Sequence, residues 1–215
     1  MNAKSAGIFL VRHGEVHNPR HVVYADLPGF ALSATGRRQA SDAASHLPHG
    51  AVLVTSPLDR AVETAHIIAN RLGSRVIVDD ALTEWLLGSR WAGHVWDELH
   101  ESFPGELAAY LEHPADLPFS PESLTELAQR VATAIRGRCS GSDGPLIFVS
   151  HQDPIQAARL SLTGRALGGL NTNKPMHAEA IELLPTATGP WIERGSWAPE
   201  QEPVSPPSPD TRSSH

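Results

Sequence analysis

Apolar positions along the chain fall into two alternating patterns. Four short, continuous runs are rich in β-branched residues: Gly7–Val11 (GIFLV), Ala51–Thr55 (AVLVT), Arg75–Asp79 (RVIVD) and Pro145–Ser150 (PLIFVS). Runs this short, without polar alternation, predict strands buried on both faces. A fifth run, Ala178–Leu184 (AEAIELL), alternates more and predicts an edge strand. Between the runs the apolar residues recur at helical spacing. One helix is expected from Ser33 through Ala40, Ala43, Ala44 and Leu47. Another is expected from Ser56-Pro57, with Leu58, Ala61, Val62, Ala65, Ile68, Ala69 and Leu72 on one face and Gly73 as its stop. A third begins near Ser120-Pro121 and a fourth follows Asp153-Pro154. Strands alternating with helices predict an α/β fold, a mostly parallel sheet covered by helices on both faces.

Two stretches break the pattern. Gly88–Phe119 holds Trp91, Trp96, His94, His100, His113 and three prolines, and predicts a short-helix insertion over one end of the sheet. From Ala198 the chain is rich in Pro and Ser and lacks apolar anchors. The expected organisation is one domain over 1–197 and a disordered tail over 198–215, with no internal repeat.

Composition narrows the function. With 17 basic against 24 acidic residues, the net charge is −7, and no Lys/Arg block offsets it. That argues against nucleic-acid or anionic-membrane partners. Cys139 is the single cysteine, which excludes an intramolecular disulfide framework and a cysteine-based zinc cluster. The apolar stretch after MNAKSAG is shorter than a signal-peptide core, and no run approaches a membrane span. A cytoplasmic protein is expected.

The buried strands end in chemistry. The first runs into Arg12-His13-Gly14-Glu15, and PLIFVS runs into His151. Ligands of open parallel sheets bind beyond the carboxyl ends of the strands, so the two histidines have a place to meet. In TSPLDRAVETA, Ser56 suits an N-cap and Pro57 a first helical position, which puts Arg60 in the first turn. A cation there opposes the helix dipole unless an anion binds at the same place. The plainer alternative is an Arg60 that snorkels to water or pairs with Glu63. Glu84 sits among Leu82, Trp85 and Leu86, where an apolar setting raises a carboxylate's pKa and suits it to proton donation near neutrality; a solvent-facing loop Glu is the alternative. Two arginines, two histidines and one carboxyl group are the parts needed to bind a phosphoryl group and transfer it.

LVRHGE, LSATGRRQA, TSPLDRAVETA, LTEW, RWAG and VSHQDPI, in this order from about Phe9 to Gly164, resemble the motifs of the histidine phosphatase (phosphoglycerate-mutase-like) superfamily. The resemblance implies a three-layer α/β fold and a phosphohistidine intermediate. With two arginines and the histidines to do the electrostatic work, no metal or cofactor is expected. By motif it makes His13 the nucleophile, Arg12, Arg60 and His151 the phosphate pocket, and Glu84 the acid/base. Gly14 is expected to let the backbone approach closely. Gln152 replaces a Gly usual after the second His, and Asn18 lies one residue nearer the first motif than the family's Asn; both are candidate substrate-binding residues. Glu122 lacks the Gly that commonly precedes Glu-Ser in this region.

Relatives that bind a second anionic group on the substrate usually carry basic residues after the acid/base Glu. Between Glu84 and Gln129 this chain offers only Arg90. A phosphatase acting on a small phosphomonoester is therefore expected, with a phosphoglycerate-type mutase as the alternative. Two further alternatives have less behind them. His13, His17 and His21 would form a metal-ligand face on a helix, but Gly14 and Asn18-Pro19 oppose a helix there. A non-catalytic phospho-ligand-binding protein would be expected to have lost one of the five key residues. The oligomeric state is not legible.

Overall fold

The computed structural model describes residues 7–142 and 144–200. Its centre is a six-stranded sheet in the order β3-β2-β4-β1-β5-β6. Strands β1 (Ile8–Arg12), β2 (Val52–Thr55), β3 (Val76–Val78) and β4 (Leu146–Ser150) are the four apolar runs, and they pair in parallel. Strand β5 (Ala180–Leu184) pairs antiparallel with β1 and, on its other side, with β6 (Ile192–Trp197). The fifth run is thus an interior strand, not the expected edge. The edge is β6, whose IERGSW sequence is too polar and exposed to announce a strand.

Alternation along the strands feeds two cores. Ile8 and Leu10 of β1, with Leu146 and Phe148 of β4, pack against helices α6 (Leu124–Cys139) and α7 (Gln152–Leu162). Val11, Ile147 and Val149 face the other way, against Leu47 and the α2 (Asp59–Leu72) residues Ala61, Ala65 and Ile68. Helix α1 (Ala34–Ala44) lies beside α2 on that face. Helix layers on both faces of a mostly parallel sheet give the expected three-layer α/β architecture.

Several helix starts differ from their sequence signals. Helix α1 is capped by Ser33, as expected, and α2 ends on a left-handed Gly73. But α2 begins at Asp59 behind Leu58 with no side-chain cap, so Ser56 is not the N-cap. Helix α6 starts at the Ser123/Glu126 capping box, later than Ser120-Pro121, and α7 starts at Gln152, ahead of Pro154. The insertion forms the short helices α3 (Leu86–Arg90), α4 (Leu99–Ser102) and α5 (Glu106–Glu112). Its Trp91, Leu99 and Tyr110 join the α6/α7 core, with Leu87 just before it.

The segment carrying His13, His17 and His21 is not helical, as Gly14 and Asn18-Pro19 predict, so the three do not share a helix face. At the other end, Ala198 is partly buried and Pro199 buried, so the chain stays packed two residues past the expected boundary. The rest of the tail prediction, 201–215, lies outside the described residues. Among the described residues no helix is long and apolar enough to cross a membrane.

Candidate active site

The register of β1 and β4 builds the site. Arg12 pairs with Ser150, so the next residues, His13 and His151, emerge side by side at the carboxyl end of the sheet. Their ring centroids are 5.2 Å apart. Both are buried, with 2 % and 0 % of their surface exposed.

The hydrogen bonds of His13 assign its proton. Nδ1 lies 2.8 Å from the Gly14 carbonyl, which can only accept, so Nδ1 carries the hydrogen. Arg60 Nε donates to Nε2 at 3.3 Å, so Nε2 holds the lone pair. Burial and, after it, the nearby Arg60, His151 and Arg12 hold the His13 pKa well below the usual imidazole value. The ring is neutral at neutral pH, with Nε2 free to attack an electrophile.

Arg60 is 1 % exposed and does not snorkel. Nη2 donates to the Ala25 carbonyl at 2.7 Å, and the guanidinium lies 4.7 Å from the Tyr24 ring centroid. Glu63, its possible local partner, instead binds Arg37 at 2.6 Å and the Leu32 N–H at 3.0 Å. The cation in the first turn of α2 is therefore turned into the site.

Arg12 donates from Nη1 to the Pro175 carbonyl at 3.0 Å and from Nη2 to His177 at 2.9 Å. Its Nε is buried without a partner. His151 has the same character. Its Nε2 is 2.8 Å from Ser56 Oγ, which also accepts from Leu58 N–H at 3.3 Å. Its Nδ1 is buried and unpartnered. Ser56 is thus a hydrogen-bond partner of His151 rather than the cap of α2. Buried unsatisfied polar groups are costly and rare, and two such nitrogens beside one imidazole mark a place for a ligand that supplies their partners.

Glu84 lies in the cavity wall, not in solvent. Oε1 accepts from its neighbour's N–H, that of Trp85, at 2.9 Å, and Oε2 is 3.9 Å from His151 Nδ1. Burial first, then the Asp153 charge, raises its pKa to about 7, against the pull of Arg60 and Arg12. A carboxyl group with that pKa both donates and accepts a proton near neutrality.

The remaining candidates divide. Gln152 lines the cavity and donates to the Pro175 carbonyl at 3.2 Å, sharing that acceptor with Arg12. Asn18 is not brought to the cavity: its amide closes a loop, donating to Val22 O at 2.8 Å and accepting from Val22 N at 3.2 Å. Gly14 serves packing. A Cβ there would lie 2.4 Å from the Gly36 carbonyl oxygen, so the close approach is to helix α1, not to a ligand. Glu122, buried, binds Arg130 through both oxygens at 2.7 and 2.9 Å and lies away from the cavity lining.

Tyr24 and His177 had no sequence signal of their own. His177 precedes β5, and because β5 runs antiparallel, its beginning meets the end of β1. Knowing that orientation would have pointed to it. Among the described residues no group of three or more His, Cys, Asp or Glu is placed to hold a metal ion.

A glucosyl-3-phosphoglycerate phosphatase of Mycolicibacterium vanbaalenii is 30% identical over 168 residues, covering 73% of this chain and 74% of the relative. A 2,3-bisphosphoglycerate-dependent phosphoglycerate mutase of Thermoplasma acidophilum is 30% identical over 152 residues, covering 69% and 72%. The solved structure of a mycobacterial glucosyl-3-phosphoglycerate phosphatase with VO3 matches the fold with a TM-score of 0.77 at 25% identity, covering 91% of this chain and 100% of that one. The profile of the histidine phosphatase superfamily (branch 1) matches residues 8–197, and the chain belongs to that superfamily as an enzyme of the histidine phosphatase type.

Proposed function

We propose that the protein hydrolyses a small phosphomonoester through a phosphohistidine on His13. One observation carries this reading. A neutral imidazole with its lone pair on Nε2 is flanked by two buried unpartnered nitrogens, Arg12 Nε and His151 Nδ1. A phosphoryl group seated there offers its oxygens to Arg12 and Arg60, which neutralise its charge, and to His151, which donates a hydrogen bond from Nδ1. His13 Nε2 attacks phosphorus as the P–O bond to the alcohol breaks, and Glu84 gives its proton to the leaving oxygen. Water then attacks phospho-His13, losing a proton to the Glu84 carboxylate and releasing phosphate with His13 restored. The arginines and His151 supply the electrostatic stabilisation, so no divalent ion is required. Gln152 fixes the loop that orients Arg12.

The mutase alternative has the Thermoplasma relative in its favour. Against it, Arg90, the one basic residue of the insertion, binds Glu106 through two bonds of 2.9 and 2.7 Å and does not line the cavity. The test is rapid quench during turnover with labelled ester. An acid-labile, base-stable label should appear on His13 and vanish in His13→Ala. Chelator should leave the rate unchanged, and 3-phosphoglycerate with a bisphosphate primer should yield no 2-phosphoglycerate. A His13→Ala variant with wild-type turnover would overturn the mechanism.

A further inference from the structure

The cavity beside His13 has a volume of about 190 Å³ and two unlike kinds of lining. Arg12, His13, Glu84 and Gln152 make part of it polar. Val22, Val23, Leu87, Trp91, Trp96 and Tyr110 form an apolar, largely aromatic wall. Two polar groups of that wall are already engaged. Trp91 Nε1 donates to Glu106 at 2.9 Å, and the Tyr110 hydroxyl donates to Asp153 at 3.0 Å. The rings offer a ligand carbon surface.

The charges match that surface. Arg12 is the only cation among the lining residues, and the phosphoryl group claims it. Lys174, beyond the wall, is held by Asp153 at 2.6 Å and by the Tyr110 hydroxyl. A second anion on the substrate would find no further cation among the lining residues.

Trp96 indicates that the wall is shaped in advance. It keeps 39 % of its surface exposed, yet its backbone is fixed. Its N–H donates to His21 O at 3.0 Å, and Val22 bridges Val95 beside it. Its ring stands nearly perpendicular to Trp91 (82°) and to Tyr110 (81°), 6.3 and 6.1 Å away. An exposed aromatic held in one place gives apolar contact at little entropic cost.

We propose that the substrate's alcohol is uncharged and carries a flat, apolar group, aromatic by preference, that lies between Trp96 and Val22, with no second anion. This rests on the phosphatase reading, which places the phosphoryl group on His13.

The test compares kcat/KM for benzyl, ethyl and choline phosphates and 3-phosphoglycerate, with trapping of phospho-His13 run on each. Benzyl and ethyl phosphate have similar alkoxide leaving groups, so their ratio reports apolar contact. Benzyl phosphate should exceed ethyl phosphate by on the order of 30-fold. Trp96→Ala should cut that ratio about tenfold, and Trp96→Phe should keep most of it. A preference for 3-phosphoglycerate or choline phosphate, or a ratio unmoved by Trp96→Ala, would overturn the substrate class; a His13 label formed in the same runs would leave the phosphatase reading standing. No label and no turnover with any ester would overturn both.

Discussion

Arg12 Nη2 donates a hydrogen bond to Nε2 of His177 at 2.9 Å. Arginine has no acceptor, so this imidazole nitrogen must carry a lone pair. Burial, then the Arg12 charge, lowers the His177 pKa to about 3, and the ring stays neutral across the working range. With Pro175 O on Nη1, it fixes the guanidinium so that Nε faces the anion site. His177 is a positioning residue. His177→Phe should raise KM about tenfold, with a smaller effect on kcat, and His177→Gln should recover most of the loss. Because His177 does not titrate near neutrality, the limbs of the pH–rate profile should stay in place in both variants. Steady-state kinetics from pH 5 to 9 decide this, and wild-type kcat/KM in His177→Phe would remove the role.

Glu84 should matter in proportion to the leaving group's need for a proton. An alkyl alkoxide needs one and p-nitrophenolate barely does. General acid catalysis is worth about 10²–10⁴-fold, so Glu84→Gln should lose much of that on an alkyl phosphate and far less on p-nitrophenyl phosphate. With the Glu84 pKa raised to about 7, the alkyl-ester rate should fall above neutrality, and that limb should flatten in the variant. The comparison must be made on the single-turnover phosphorylation step, since Glu84 also serves the water step. Equal losses on both esters would mean that Glu84 only shapes the pocket.

The same carboxyl group should cost stability at high pH. Its folded pKa, about 7, lies above its ordinary value of 4.5. Between those values the folded chain keeps a proton that the unfolded chain has released. Stability therefore falls as pH rises from about 4.5 to about 7 and levels off beyond. Glu84→Gln lacks this penalty. It should be more stable than wild type by on the order of 2 to 3 kcal/mol at pH 8, with the gap closing near pH 4.5. Urea unfolding of both proteins at pH 5 and 8 measures this; a gap independent of pH would contradict the buried carboxyl.

Gly14 and Gly36 should be intolerant as a pair. A Cβ on Gly14 would sit 2.4 Å from Gly36 O, and one on Gly36 would sit 2.0 Å from Glu15 O. Both obstacles are backbone, which cannot swing aside. Gly14→Ala should cost about 3 kcal/mol and displace His13, lowering turnover as well. Urea midpoints and kcat are the readouts, and a variant within 0.5 kcal/mol, roughly the scatter of neutral surface changes, would refute the contact.

The sequence by itself determined the sheet's parallel half, its helices and the five residues that converge. Unbroken apolar runs such as PLIFVS bury both faces, and any strand so buried must sit inside a covered sheet. That places whatever follows it, His13 or His151, at the carboxyl edge. The motifs then supplied the chemistry. Strand β6 was hidden because its solvated, charged sequence carries no apolar alternation. Ser56 was misjudged because a serine before a helix has two uses, and only the position of His151 chooses between capping and a bond to the imidazole. Asn18 was expected at the substrate; in the structure its amide bonds Val22 of its own loop. The direction of β5, the aromatic wall and the two unpartnered nitrogens were decided by the tertiary structure alone. Each depends on distances between residues far apart in the chain, and no local spacing encodes where His177 meets Arg12 or where Trp96 meets Tyr110.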